Sequence, residues 1–251
     1  ALDFVRAIRK TPIVVNDSRG FYTSRVVTTY IAEGHLMLTE GVPAAMIENA
    51  ARMAGMPVGP LALNDEVAID LSLRIMDATR KDLGAEAVPD EAYRLIETMV
   101  AKHGRHGRKN GKGFYDYPDD PSGKKRLWRG LADLYPPVRD PDAIDVGALK
   151  QRFLGIMALE TARCFEEKVL TDVREADVGS ILGFGFPPFT GGTLSYIDFM
   201  GAKAFVERLG RLSKHHGPRF RPNRLLRDLA RTGDTFYRRF GPAAAGRDER
   251  G

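Results

Sequence analysis

Residues 54–63, AGMPVGPLAL, and residues 183–201, GFGFPPFTGGTLSYIDFMG, decide the fold. Each begins as a Gly/Pro-rich loop that ends one short helical stretch and opens another. Each also follows a similar lead-in. Residues 33–42 precede the stretch PAAMIENAARMA and the first loop, and residues 160–169 precede DVREADVGSIL and the second. Pro57 pairs with Pro187, 130 residues further on. The echo predicts a duplicated helical module that packs as an intramolecular pseudo-dimer.

Outward from these loops the pattern stays helical. Val26, Val27, Tyr30, Ile31 and Leu38 line one side of a helix, and Leu149, Phe153, Ile156, Met157 and Leu159 line another. Further helices are expected over about 61–83, 90–102 and 222–232. A short strand is expected at residues 12–15, edging a sheet that lies upstream. Residues 118–144 are rich in Pro, Asp and Lys and read as a linker. Residues 241–251 read as a disordered tail. The expected domains are therefore a first repeat over 1–117, the linker, and a second repeat over 145–240.

Composition narrows the class. Of 251 residues, 43% are hydrophobic and 28% charged, which excludes disorder as a whole-chain reading. The lone cysteine, Cys164, excludes a disulfide framework and a cysteine-cage metal site. It fits a reducing compartment, and a cytoplasmic location is expected. No apolar run reaches the roughly 18 residues of a transmembrane helix. No G-x-G-x-x-G or Walker A loop is present.

The net charge of +5 is unevenly spread. Residues 102–112 hold five basic groups and no acid, and residues 211–239 hold nine against Asp228 and Asp234. These stretches carry twelve net positive charges, so the rest of the chain is about seven negative. Such regions are either solvated faces or anion sites. Apolar residues recur at helical spacing within 211–239, which favours a solvated helical face there. No interleaved aromatic platform supports nucleic acid, so none is expected as a partner.

Three motifs carry candidate chemistry. In residues 14–26, VVNDSRGFYTSRV, Ser24 sits near a helix start. It either belongs to an ordinary strand-to-helix connection or offers a hydroxyl to a cleft. In residues 107–117, GRKNGKGFYDY, glycines let backbone approach a ligand, and Arg108 or Lys109 can meet a phosphate. The alternative is a basic loop with Phe114 and Tyr115 in the core. In residues 183–198, Tyr196 is either a buried tyrosine or a ligand donor. Cys164 reads as core. The histidines lack metal spacing with carboxylates, so no metal site is expected, and none has the context of a general base.

Taken together, VVNDSRGFYTSRV, AGMPVGPLAL, GRKNGKGFYDY and GFGFPPFTGGTLSYIDFMG resemble the C-terminal helical part of 3-hydroxyacyl-CoA dehydrogenases, most closely the alpha subunit of the multifunctional fatty-acid β-oxidation complex. The resemblance covers roughly residues 1–117 and 145–240. It implies a mainly α fold of two tandem helical repeats, of the 6-phosphogluconate dehydrogenase C-terminal-like type, with the Rossmann domain absent from this chain. It implies an NAD-dependent oxidation of L-3-hydroxyacyl-CoA, with the catalytic His–Glu pair and most NAD contacts upstream. A fragment of this kind is expected to be inactive alone, and the full-length protein to carry an enoyl-CoA hydratase domain. The resemblance further implies acyl-CoA as substrate, a thiolase beta subunit as partner, and homodimerisation. Residue by residue, Lys109 matches a lysine near the NAD and Tyr196 a substrate-binding tyrosine. Ser24 stands where the family commonly has a substrate-contacting Asn, so direct contact there is replaced or bridged by water. The alternative to an enzyme part is a non-catalytic helical module that docks thiolase or self-associates.

Overall fold

The computed structural model describes residues 1–120, 122–138 and 140–242. The expected tail falls outside the described residues from position 243 onward. Thirteen α-helices and two short strands form the described part. They are α1 (Leu2–Ala7), α2 (Thr23–Thr39), α3 (Ala44–Met53), α4 (Pro60–Val67), α5 (Ile69–Leu83), α6 (Asp90–Glu97), α7 (Gly130–Leu134), α8 (Val146–Glu166), α9 (Val173–Phe184), α10 (Thr193–Met200), α11 (Ala202–His216), α12 (Arg224–Thr232) and α13 (Phe236–Phe240). Strand β1 (Tyr115–Asp116) pairs antiparallel with β2 (Arg126–Leu127), Tyr115 opposite Leu127. The fold is mainly α, as the periodicity predicts.

Two expectations need correction. Residues 12–15 form no strand; they run extended, with the Val14 N–H donating to Glu175 Oε2 (3.2 Å) and the Asn16 N–H to the Val169 carbonyl (2.9 Å). The helix expected over about 61–83 breaks at Ala68, which takes φ 81° and ψ 121°. Alanine is the best helix former, so the break comes from tertiary structure. The Ile69 N–H turns to the His106 carbonyl (3.1 Å), and Ile69 is fully buried.

The chain divides into two compact units, residues 1–29 with 154–251 (unit 1) and residues 30–153 (unit 2). Both boundaries fall inside helices, α2 and α8. Unit 2 includes the segment between 118 and 144. There β2 pairs with β1 and Leu131 of α7 is buried.

Each unit contains the same set of contacts. In unit 2, Glu48 of α3 accepts from the Leu61 N–H at the start of α4 (2.9 Å) and from the Tyr115 hydroxyl (2.7 Å). In unit 1, Asp177 of α9 accepts from the Leu194 N–H at the start of α10 (2.8 Å) and from the Tyr237 hydroxyl (2.9 Å). Such a carboxylate satisfies N–H groups that a helix start cannot bond internally, and it complements the dipole. One turn on, Asp65 of α4 accepts from the Phe114 and Tyr115 N–H groups (2.7 and 2.9 Å). Asp198 of α10 accepts from those of Phe236 and Tyr237 (2.8 and 2.9 Å). A Phe-Tyr pair is thus tied to a helical aspartate once in each unit.

Arginine–glutamate clusters repeat likewise. In unit 2 the Arg152 Nε donates to Glu33 (2.6 Å) and its two Nη groups to Glu40 (2.6 and 2.9 Å). In unit 1 the Arg25 Nε donates to Glu160 (2.5 Å) and its Nη groups to Glu167 (2.5 and 2.9 Å). Apolar packing surrounds both: Tyr30 meets Phe153 edge-on at 5.1 Å in unit 2, and in unit 1 buried Tyr22 meets Phe184 at 5.7 Å.

The core of unit 2 also encloses His35. Its Nε2 bonds Asn64 Oδ1 (2.9 Å), its ring stacks on Phe114, and Nδ1 has no partner. Burial pushes the ring from 6.5 down to about 4. A base depressed on folding leaves stability full above its unfolded value and loses it as pH falls toward the folded one. His35→Gln is therefore expected to remove up to about 3 kcal/mol of the stability lost between pH 6.5 and 4. Urea unfolding of parent and variant at stepped pH measures the difference, and identical slopes would remove His35 as its source. Asp65, raised to about 6 by burial, acts with the opposite sign, losing its share as pH rises; it is common to both proteins and cancels.

Candidate functional site

Tyr196 lies on α10 in unit 1, half-buried. Its ring stands edge-on to Phe186 (6.0 Å) and Phe205 (6.2 Å), which fixes its direction. Its hydroxyl accepts from Arg208 Nη1 on α11 (3.1 Å). Burial raises the phenol, with Arg208 opposing, so the proton stays on oxygen at neutral pH. That proton has no acceptor among the described residues, and the buried Arg208 Nε also lacks a partner. The pair can present an oriented O–H donor to a ligand oxygen. Arg208 escapes sequence reading because it lies outside both basic stretches.

Ser24 belongs to the same unit. It is exposed in the first turn of α2, and its carbonyl accepts from the Thr28 hydroxyl (2.8 Å). No hydrogen bond joins Ser24 to Tyr196.

Lys109 belongs to unit 2, in the single 3₁₀ turn Arg108–Asn110. That turn is held by its neighbours. The Gly107 N–H donates to the Lys112 carbonyl (2.8 Å), and Asn110 reaches back to the Gly104 carbonyl (2.8 Å). Gly107 has φ 98°, and a side chain there would meet the Asp65 carbonyl at 2.5 Å, so only glycine fits. Three of the loop's five cations are matched internally. Arg105 is buried and bonds the Gly113 carbonyl and Asp116; Arg108 pairs with Glu66 at 2.9 Å. Lys109 Nζ lies 2.5 Å from Asp70, whose carboxyl it holds down at about 2. An ammonium has three donors, and the half-exposed Lys109 gives one of them to Asp70. The residues present therefore fit a second anion beside Asp70. Phe114 and Tyr115 are both buried, so the aromatic pair of this motif is core. Cys164 is buried and its thiol is pushed up to about 12, which leaves it protonated and unreactive.

The fold and these positions define a dehydrogenase-type helical domain. The family model described as 3-hydroxyacyl-CoA dehydrogenase, C-terminal domain, matches residues 20–117, and that segment belongs to the family. Fatty acid oxidation complex subunit alpha of Shewanella loihica is 40% identical over 238 residues, covering 93% of this chain and 32% of the relative. The protein of the same name from Shewanella amazonensis is 37% identical over 234 residues, with the same coverage. The chain thus spans about a third of the length of the curated relatives it matches. Among solved structures, 3-hydroxybutyryl-CoA dehydrogenase of Escherichia coli superposes with a TM-score of 0.68 at 20% identity, over 92% of this chain and 64% of that one. The dehydrogenase part of multifunctional enzyme 1 from C. elegans gives 0.65 at 22% identity, over 90% of this chain and 51% of that one. At these identities the superpositions establish the fold. No helix among the described residues is long and apolar enough to cross a membrane.

Proposed function

We propose that the chain is the C-terminal helical part of an NAD-dependent L-3-hydroxyacyl-CoA dehydrogenase acting in fatty-acid β-oxidation. The observation that carries this reading is the 40% identity to a fatty acid oxidation complex alpha subunit over 93% of the chain. In this reading the two repeats are 1–117 and 145–240, joined by 118–144. The recurring carboxylate, Phe-Tyr and arginine contacts support that division. The proton-abstracting histidine and its glutamate come from outside these 251 residues, in the part of the protein that the relatives' greater length accommodates, as does any hydratase activity.

The chain's own residues bind and orient. Tyr196, aimed by its two rings and by Arg208, donates its hydroxyl to an oxygen of the acyl-CoA. Ser24, exposed and short, reaches the substrate through water. Lys109 turns its remaining donors toward a phosphate of NAD, which when bound supplies the hydride acceptor. The chain assayed alone with acetoacetyl-CoA and NADH is expected to show no turnover; appreciable turnover would place the active site within it. In the intact protein Tyr196→Phe is expected to lower kcat/KM about three- to tenfold, the worth of one hydrogen bond to substrate. Wild-type kinetics would remove Tyr196 from the site.

Assembly is the second element of the reading. Leu182, Phe189 and Phe199 of unit 1 stand 67%, 80% and 92% exposed. Large apolar side chains so exposed are typical of protein contacts. They suit docking to a thiolase beta subunit or to a second copy. Light scattering with and without thiolase separates the two, and strong assembly without acyl-CoA affinity would favour a purely structural module.

A further inference from the structure

An open cleft of about 920 Å³ lies in unit 1, between the end of α8 and helices α12 and α13. Its size suits a small organic ligand. Two carboxylates line it, and both are already engaged. Asp228 holds Arg231 and Arg239 through its two oxygens, each at 2.6 Å, and Glu166 accepts from the Leu225 N–H at 2.5 Å. Three lining cations have no carboxylate. Lys168 and Arg224 carry no ion pair, and Arg227 makes one bond, to the Pro222 carbonyl (2.6 Å).

The placement of these three is costly in the empty chain. Arg224 and Arg227 stand among the first four residues of α12, and the first turn of that helix has no acidic side chain. Cations there oppose the helix dipole, which favours negative charge at that end. Lys168 adopts φ 60°, a left-handed conformation usually left to glycine or asparagine after a helix. Its backbone is pinned, the N–H on the Phe165 carbonyl (3.1 Å) and the carbonyl on Asn16 Nδ2 (2.7 Å). Local rules broken together around one cavity mark a site where something else supplies the compensation. The missing partner is an anion with more than one negative charge.

The rest of the cleft is flat and apolar. Phe165 packs on Phe240 with ring centroids 5.1 Å apart, Phe240 is 38% exposed, and the Arg239 guanidinium lies 5.9 Å over its ring. The Leu225 and Leu226 N–H groups are taken by Glu166 and Asn223, so recognition falls to side chains. We propose that this cleft binds a nucleoside diphosphate, with Lys168, Arg224 and Arg227 on the phosphates and the base stacked on Phe240. This inference stands apart from the dehydrogenase reading and would survive its failure.

Titration calorimetry of the chain with ADP, pyrophosphate and adenosine tests it. ADP is expected to bind with a Kd below about 1 mM at low salt, more tightly than pyrophosphate, and adenosine hardly at all. Arg224→Gln with Arg227→Gln should weaken ADP at least about tenfold, with circular dichroism unchanged because both side chains are exposed. Phe240→Ala should weaken ADP and leave pyrophosphate as it was. Arg211→Gln, on α11 and outside the cleft, should change nothing. The proposal fails if ADP does not bind below the millimolar range, or if the double variant binds as the parent does. It also fails if Arg211→Gln weakens ADP equally, which would indicate a general basic field. Binding to vesicles of anionic phospholipid without ADP binding would replace the nucleotide with a membrane surface and overturn it.

Discussion

Arg152→Ala is expected to destabilise the chain by about 3–5 kcal/mol, the usual cost of breaking a buried ion pair from one side. The Arg152 and Glu33 side chains are only 2% and 1% exposed. Removing the guanidinium strips Glu33 of its 2.6 Å partner while its carboxylate stays in the interior, where an ionised group is poorly solvated. Glu40, 40% exposed, keeps its water and contributes little to the loss. A double variant, Arg152→Met with Glu33→Leu, should therefore recover most of the stability, because the desolvated charge is gone. The counterpart in unit 1 supplies a control of the same chemistry at lower burial. Arg25 is 21% exposed and Glu167 50% exposed, and Glu160 retains Arg163 at 2.9 Å. Arg25→Ala should cost less, about 1–2 kcal/mol. Urea unfolding followed by helical circular dichroism reads both. Equal losses would mean that burial does not set the cost.

These paired clusters also mark where sequence reading ended. Loops 54–63 and 183–201 are legible because glycine and proline are demanded by backbone geometry, so the echo of Pro57 in Pro187 survives divergence. The carboxylates that those loops exist to accommodate are not legible. Glu48 and Asp177 differ in residue type, and the second loop is three residues longer between its proline and Gly192 than the first between Pro57 and Gly59. The partners Tyr115 and Tyr237 sit 67 and 60 residues from their carboxylates. No local pattern reports a contact of that range. The break at Ala68 is hidden for a related reason. Nothing in its neighbourhood stops a helix; a carbonyl on a distant loop does. At the candidate site, Ser24, Lys109 and Tyr196 acquire roles through family resemblance, because a serine, a lysine and a tyrosine in ordinary contexts carry no chemistry of their own. The structure adds what spacing cannot: Lys109 shares its charge with Asp70, and Tyr196 is held by Arg208.

Gly192→Ala is expected to cost about 3–5 kcal/mol, and more than Gly59→Ala, although the two glycines stand at matching places before α10 and α4. Gly192 has φ 116° and ψ −178°, a region essentially reserved for glycine. A methyl group there would lie 2.5 Å from Asp177 Cβ and 2.6 Å from its Cα. The main chain of α9 cannot retreat without moving Asp177 off the Leu194 N–H and the Tyr237 hydroxyl, so backbone strain and lost capping add. Gly59 has an ordinary φ of −70°. Its added methyl group would collide with the Glu48 carboxylate, the far end of a flexible side chain. Glu48 can rotate away, leaving the Leu61 N–H and the Tyr115 hydroxyl to weaker partners at about 1–3 kcal/mol. Thermal and urea unfolding of the two variants decides the order. A Gly59 variant as damaged as the Gly192 variant would show that the shared carboxylate cap, and not the left-handed backbone, sets the cost at both positions.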